Sequence, residues 1–555
     1  MARPPRLPAS LLVPAALAAS LGAAALGCAG PTDGDELAPE DGIVVPDGKE
    51  DDFFSLSAYE YVVTGQTSVT LEPELATAPA ADKEARVREL IGYKQIAIAW
   101  FLTQYLVDKE DDEANAGFGG FGGMAKGGAW DDLDVHAVDD LTYAFTFKQI
   151  VAGGKNLMSV LPTRAGAGGA RDFTLEIGRP GNEEMAELET NAEWYRNPPW
   201  DAWNPSAVDA ARKETLTLTI ARDRQSTDAW FDLGALLADD VLDLDVHFGW
   251  DYHDAYHVKH AKALFSWLER KGFTAPVASF DDLTRTSGAF TRKVTADGRD
   301  VEIRVRIFYG KAGTDTDPDT AAGGRVLEQD MRTSLATRDV IVYSGHSGPF
   351  YGFALANWRK TDEGDLDDSE MSSVAMPADR YQVVVAEGCD TYQIGEAFRQ
   401  NPAKPDGRLV DVITTTSFSN ASTPATVEDI ISALIERDSH GRLRPRTVKS
   451  LLSKLDGNSW GFHTMYGIHG LDDNPALHPF AATENLCQAC GANADCGGPG
   501  NLCVTVGHEG KRCVAACTDD RGCPDGYACR AIASQSSSTI YGRACVPAAL
   551  SCPAE

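Results

Sequence analysis

The stretch Asp339-Val340-Ile341-Val342-Tyr343-Ser344-Gly345-His346-Ser347-Gly348, read with Tyr381-Gln382-Val383-Val384-Val385-Ala386-Glu387-Gly388-Cys389, decides the reading of this 555-residue chain. Each is a short apolar, largely β-branched run that breaks into small residues, and each then offers one reactive side chain. His346 comes three residues after Tyr343, and Cys389 three after Ala386. Outward from these runs, strand and helix patterns alternate. Residues 242–246, 301–308 and 410–416 read as further strands, and residues 255–271, 325–335 and 427–437 as helices, the first ending at Gly272. Such alternation predicts a largely parallel sheet with helices on its faces. Functional groups of an open parallel sheet collect beyond the carboxyl ends of its strands. If the two runs are neighbours, His346 and Cys389 project from the same edge, where an imidazole can take up or steady the thiol proton.

These residues carry a family resemblance. Val342 to Gly348 resembles the histidine motif of caspase-like (clan CD) cysteine peptidases, the YSGHG of metacaspases above all. Val383 to Cys389 resembles their cysteine motif, with the Glu-Ala-Cys of legumain nearest to Glu387-Gly388-Cys389. The resemblance covers residues 241–473. It implies a Cys389–His346 dyad and an oxyanion held by the backbone N–H of Cys389 and of Ser347 or Gly348. It also implies a specificity-pocket acid at Glu387, hence cleavage after Arg or Lys, with Asn as the legumain-like alternative. Ser347 departs from the pattern, which has Gly there. No cofactor is required by this chemistry; calcium activation, known in some metacaspases, is a further possibility the resemblance raises.

The ends of the chain point to export. Arg3 and Arg6 precede an apolar stretch from Leu7 to Leu26, interrupted by Pro8 and Pro14, as in a removable secretory leader. Ala25-Leu26-Gly27-Cys28 resembles the bacterial lipobox, which implies lipidation of Cys28 and a membrane anchor; simple cleavage with free secretion is the alternative. Residues 29–52 are strongly acidic and bury too little apolar surface to offset ordering, so a disordered tether is expected. The net charge of −32 argues against a nucleic-acid partner, which needs clustered Lys and Arg, and favours basic peptides as guests.

Of the 12 cysteines, ten lie at the C-terminal end: Cys487, Cys490, Cys496, Cys503, Cys513, Cys517, Cys523, Cys529, Cys545 and Cys552. Cys490 to Cys513 and Cys517 to Cys545 look like two copies of one small unit, with Cys487 and Cys552 outside them. An even number in an exported chain reads as five disulfides. Zinc is the rival, but a site would use only four of them. Cys389 is then left without a partner. The whole reads as a multidomain protein: leader 1–28, tether 29–52, an α+β accessory domain 53–238, a central α/β caspase-like domain 239–480, and a disulfide-rich module 481–555. In the accessory domain residues 59–63, 141–147 and 215–220 read as strands and 83–107 as a helix.

Other clusters compete for a role. His253, His257 and His260, with His247 and Asp251 nearby, could bind zinc and support a metal-dependent hydrolase. The acidic run Asp362 to Glu370 reads as a solvated loop that could attract basic substrates or calcium, and Asp315, Asp317 and Asp319 as a turn. Gly117 to Gly122 matches GxGxxG but follows an acidic run rather than a strand, so it reads as a loop. Beside the peptidase stands a second overall reading, a catalytically inactive scaffold in a surface-binding lipoprotein.

Overall fold

The computed structural model describes residues 52–111, 134–166, 168–185, 194–253, 255–348, 352–404, 407–417, 419, 422–457, 465–533 and 539–552. The leader, Cys28, residues 29–51 of the tether and the Gly117–Gly122 stretch lie outside them.

At the centre is an eight-stranded mixed sheet. Its spatial order is Phe54–Ser55, Tyr466–His469, Val410–Thr415, Gln382–Glu387, Val340–Ser344, Val241–Phe248, Arg299–Tyr309, Phe290–Ala296. The five inner strands from Val410–Thr415 to Arg299–Tyr309 are mutually parallel, and the remaining three pair antiparallel. Helices Tyr256–Arg270, Ala321–Thr337, Tyr392–Arg399, Ala425–Ile435 and Val448–Asp456 fill the connections. Alternation along the strands explains why the runs are apolar throughout. Val340, Val342, Val383 and Val385 enter one buried cluster, while Ile341, Tyr343, Val384 and Ala386 enter the cluster on the other face. The N-terminus of Ala321–Thr337 is fixed by Thr320, whose Oγ1 accepts the Gly323 N–H at 3.1 Å.

The sheet has edges the sequence reading did not supply. Phe290–Ala296 and Arg299–Tyr309 form a hairpin through Asp297-Gly298, both at positive φ (46° and 76°), as a tight two-residue turn requires. At the opposite edge Phe54–Ser55 pairs with Tyr466–His469, so the start of the accessory segment completes the central sheet. Asp52, counted with the tether, is instead buried. Its N–H donates to Asp472 at 2.9 Å and its carboxylate pairs with Arg224 at 2.6 Å, so charge pairing fixes the residue where composition alone suggested disorder.

The accessory region is a six-stranded antiparallel sheet, ordered Val135–Ala137, Thr142–Gly154, Ala58–Thr70, Lys213–Arg222, Arg171–Gly178, Arg164–Ala165, and packed on the helix Ala80–Asp111. The C-terminal module is a four-stranded antiparallel sheet crossed by five disulfides: Cys487–Cys552, Cys490–Cys503, Cys496–Cys513, Cys517–Cys529 and Cys523–Cys545. Within each of the two copies the first cysteine bonds the third and the second bonds the fourth, and the outer pair closes the module. Disulfides in this number belong to an oxidising, exported setting. Among the described residues no helix is long and apolar enough to cross a membrane.

Candidate active site

Strand Val241–Phe248 is where the order of the parallel strands reverses: the chain next adds Arg299–Tyr309 on one side and Val340–Ser344 on the other. A crevice opens beyond the carboxyl ends at such a switch point. Asp251 follows the first strand there and His346 the second. The strands carrying the two motifs are direct neighbours, with Tyr343 opposite Ala386 and Ser344 opposite Glu387. His346 and Cys389 therefore each lie two residues beyond the same rung of one parallel pair.

His346 is held from several sides. Its Nε2 lies 2.9 Å from Oδ2 of the buried Asp251. Tyr252 stacks on the imidazole at 4.7 Å, and Trp358 meets it edge-on at 5.6 Å. The His346 carbonyl accepts from Tyr343 Oη and, at 3.1 Å, from the Ala354 N–H. Burial lowers the His346 pKa, and the hydrogen bond and charge of Asp251 work against that. The ring is thus neutral near pH 7, with Asp251 favouring the Nε2–H tautomer and leaving Nδ1 as the basic nitrogen.

Cys389 is the one cysteine outside a disulfide among the described residues, and it is partly exposed. Burial foremost, then the charge of Asp390, pushes its thiol up to about 12, against hydrogen bonding from Ser419. Its resting form is the thiol. The turn is braced by Thr415 Oγ1 donating to Gly388 O at 2.6 Å and Thr391 Oγ1 donating to Ala386 O at 2.7 Å, and Asp390 stands at φ 50°. Ser347, where the resembled motif has Gly, joins the two loops: its Oγ donates to Cys389 O at 2.9 Å. That contact explains Gly388, since a Cβ there would lie 1.9 Å from Ser347 Oγ. Ser347 and Gly348 also open a three-stranded antiparallel sheet with Gly352–Ala354 and Asp365–Leu366.

Glu387 is buried and accepts from Ser344 Oγ at 2.5 Å, with Ser419 and Tyr466 also hydrogen-bonding to it. Burial raises its pKa to about 7, and no cation is among the groups that act on it. Glu387 and His346 line a cavity of about 20 Å³, shared with Asp251, His257, His260 and Ser419. That is room for about one water.

The histidine cluster does not converge. His247 stacks on Phe308 at 4.5 Å with its Nε2 2.8 Å from Ser334 Oγ, deep in the sheet. His257 receives the Asp251 N–H at 3.2 Å, and burial holds its pKa down to about 4. Among the described residues of the cluster, His253 is the histidine whose ring nitrogen groups with His346: its Nδ1 lies 3.2 Å from Asp251 Oδ2, and ligand atoms of Asp251, His253 and His346 fall within 4.8 Å of one another. In the acidic run, Glu363 pairs with Arg325 and Glu370 with Arg332, which ties it to the helix Ala321–Thr337. Asp317 and Asp319 cap a turn, accepting from the Gly313 N–H and from Asn357.

Asp251 is the functional candidate that the sequence reading had placed only beside the histidines. An acid five residues past the strand read at 242–246 was visible; that its strand marks the switch point was not, because strand order is a non-local property. No known protein-family model, no curated protein and no solved structure matches the chain.

Proposed function

We propose that this protein is an exported cysteine endopeptidase with a caspase-like central domain, in which Cys389 is the nucleophile, His346 the general base and acid, and Asp251 the group that orients His346. The observation that carries the reading is the placement of His346 and Cys389 beyond one rung of neighbouring parallel strands, with His346 bordering the switch point and Asp251 on its imidazole. A thiol pushed up to about 12 and an imidazole that is neutral at rest favour concerted attack over a standing ion pair. The Sγ–H proton passes to His346 as sulfur bonds to the scissile carbonyl carbon, and the carbonyl electrons move onto oxygen. The N–H groups of Cys389 and of Ser347 or Gly348 stabilise that oxyanion. Its collapse breaks the C–N bond, the imidazolium gives its proton to the departing amine, and water hydrolyses the thioester with His346 again as base.

The specificity we assign is for Arg or Lys before the cleaved bond. Glu387 supports it because a desolvated carboxyl without a cation gains its missing partner when a guanidinium or ammonium arrives. Such a side chain exceeds a cavity of about 20 Å³, so binding includes widening of that cavity. Lipidation of Cys28 would hold the enzyme at a membrane surface, and calcium is a candidate activator only. The test is hydrolysis of fluorogenic Arg, Lys and Asn peptides by the wild type and Cys389→Ala. The proposal requires Arg or Lys turnover that Cys389→Ala abolishes; turnover that survives the substitution refutes it, and absence of turnover in the wild type favours the scaffold reading.

One observation favours a second reading. Asp251, His253 and His346 supply the carboxylate and two imidazoles of a hydrolytic zinc site. Activity that a chelator removes, Zn²⁺ restores and Cys389→Ala leaves intact would select it.

A further inference from the structure

On a chain of net charge −32, a cavity of about 490 Å³ is lined by Arg270, Lys271, Arg292, Arg437, Arg446 and Lys454, opposed within its walls by Asp429 and Glu436 alone among acids. These two acids already have partners, Arg446 on Glu436 at 2.6 Å and Lys454 near Asp429 at 3.7 Å. Among the described residues no carboxylate is within ion-pair distance of the other four. Glu428 only feels Arg270 and Lys271 at longer range.

Arg292 is the informative member. It rises from the edge strand Phe290–Ala296 and is 9% exposed. Its Nη1 donates to Lys271 O at 2.8 Å and its Nη2 to Ile435 O at 2.9 Å, while its Nε has no partner. Burial, and then the charge of Arg437, holds its pKa down to about 10. A desolvated guanidinium without a counter-charge, beside a second one, is costly to maintain unless an anion joins it. Cations at the ends of helices Tyr256–Arg270 and Ala425–Ile435 suit the helix dipoles, but that leaves the unpartnered Nε on a strand unexplained.

We infer that this cavity is a binding site for a soluble small anion carrying two or more phosphate groups, with Arg437 and Arg270 as its direct ligands, Lys271 at its rim, and Arg292 supplying buried positive charge behind them. The volume is that of a small-molecule site, and guanidinium pairs match phosphate oxygens bidentately. The site is separate from Cys389 and His346, so it stands whether or not the chain is a peptidase.

The test is calorimetric titration of the full chain with tripolyphosphate at low salt. Saturable binding at one site is expected, with Arg437→Gln and Arg270→Gln each weakening it by about tenfold or more while circular dichroism stays unchanged. Arg88→Gln, an exposed charge on the accessory helix, should bind like the wild type. Phosphatidylglycerol vesicles should not displace the probe; displacement would assign the pocket to a lipid headgroup and overturn the soluble-anion assignment. No saturable heat, or equal weakening in all three variants, would also overturn it.

Discussion

Replacing Asp251 by Asn separates the charge on His346 from the shape of the loop. Oδ1 of Asp251 accepts the N–H of His253 at 3.0 Å and of Tyr256 at 3.3 Å, and an Asn oxygen can keep both. The Asn NH₂ then faces His346 Nε2, where Oδ2 stood at 2.9 Å. A donor there favours the tautomer with the proton on Nδ1, which leaves the nitrogen needed as base already protonated. A hydrogen bond to a charged group is worth about 1.5–3 kcal/mol. At about 1.4 kcal/mol per factor of ten, kcat/KM should fall by about 10- to 100-fold. Asp251 raises the His346 pKa against the lowering by burial, so its loss lowers that pKa further. The acid limb of kcat/KM, where the imidazole must be unprotonated, should therefore move to lower pH. The assay is a pH–rate profile on an Arg peptide, with circular dichroism to confirm the fold. A variant within about threefold of wild type, or an acid limb that stays or moves upward, refutes the role given to Asp251.

Four further outcomes follow from the same geometry. Because the Cys389 thiol sits near 12, its alkylation by iodoacetamide, followed by peptide mass spectrometry, should be slow at neutral pH and climb steadily to pH 10; a plateau near pH 7 would contradict a resting thiol. Glu387 ionises only above about 7, so KM for Arg peptides should fall as pH rises through 7, and Glu387→Gln should remove that dependence; an unchanged pH dependence in the variant would show that another group sets it. Tyr392 Oη donates to the buried Glu60, so Tyr392→Phe should cost about 1–3 kcal/mol in urea unfolding, and no change would dismiss this link between accessory and central regions. A non-reducing digest should yield the pairs Cys490–Cys503, Cys496–Cys513, Cys517–Cys529, Cys523–Cys545 and Cys487–Cys552, and other pairings would overturn the module's repeat.

Val340–Ser344 and Gln382–Glu387 could be read from the sequence because they are buried on both faces and so run apolar, as in Val383-Val384-Val385-Ala386, while Val241–Phe248 and Arg299–Tyr309 were legible by their alternation of apolar and charged residues. The edge strand Phe290–Ala296 escaped because Arg292 and Lys293 break the apolar pattern; the following Asp297-Gly298 was the available signal. Phe54–Ser55 and Tyr466–His469 escaped for a different reason: two and four residues are too short for periodicity, and their pairing spans the chain. At the site, the Cys389 and His346 motifs are local and were visible. Asp251 on His346 and Ser347 on Cys389 are tertiary contacts that the motifs do not encode. The burial of Arg292 is likewise a tertiary property that nothing in its local sequence marks.

The central claim, that Cys389 attacks a carbonyl with help from His346, is tested most directly by intact-mass analysis after reaction with a peptidyl chloromethyl ketone bearing Arg at its reactive end. The account predicts one adduct per chain, located at Cys389 by peptide mapping, competed by Arg peptides, and formed at least about tenfold more slowly in His346→Ala. Labelling elsewhere, or labelling of Cys389 at the same rate without His346, would contradict it.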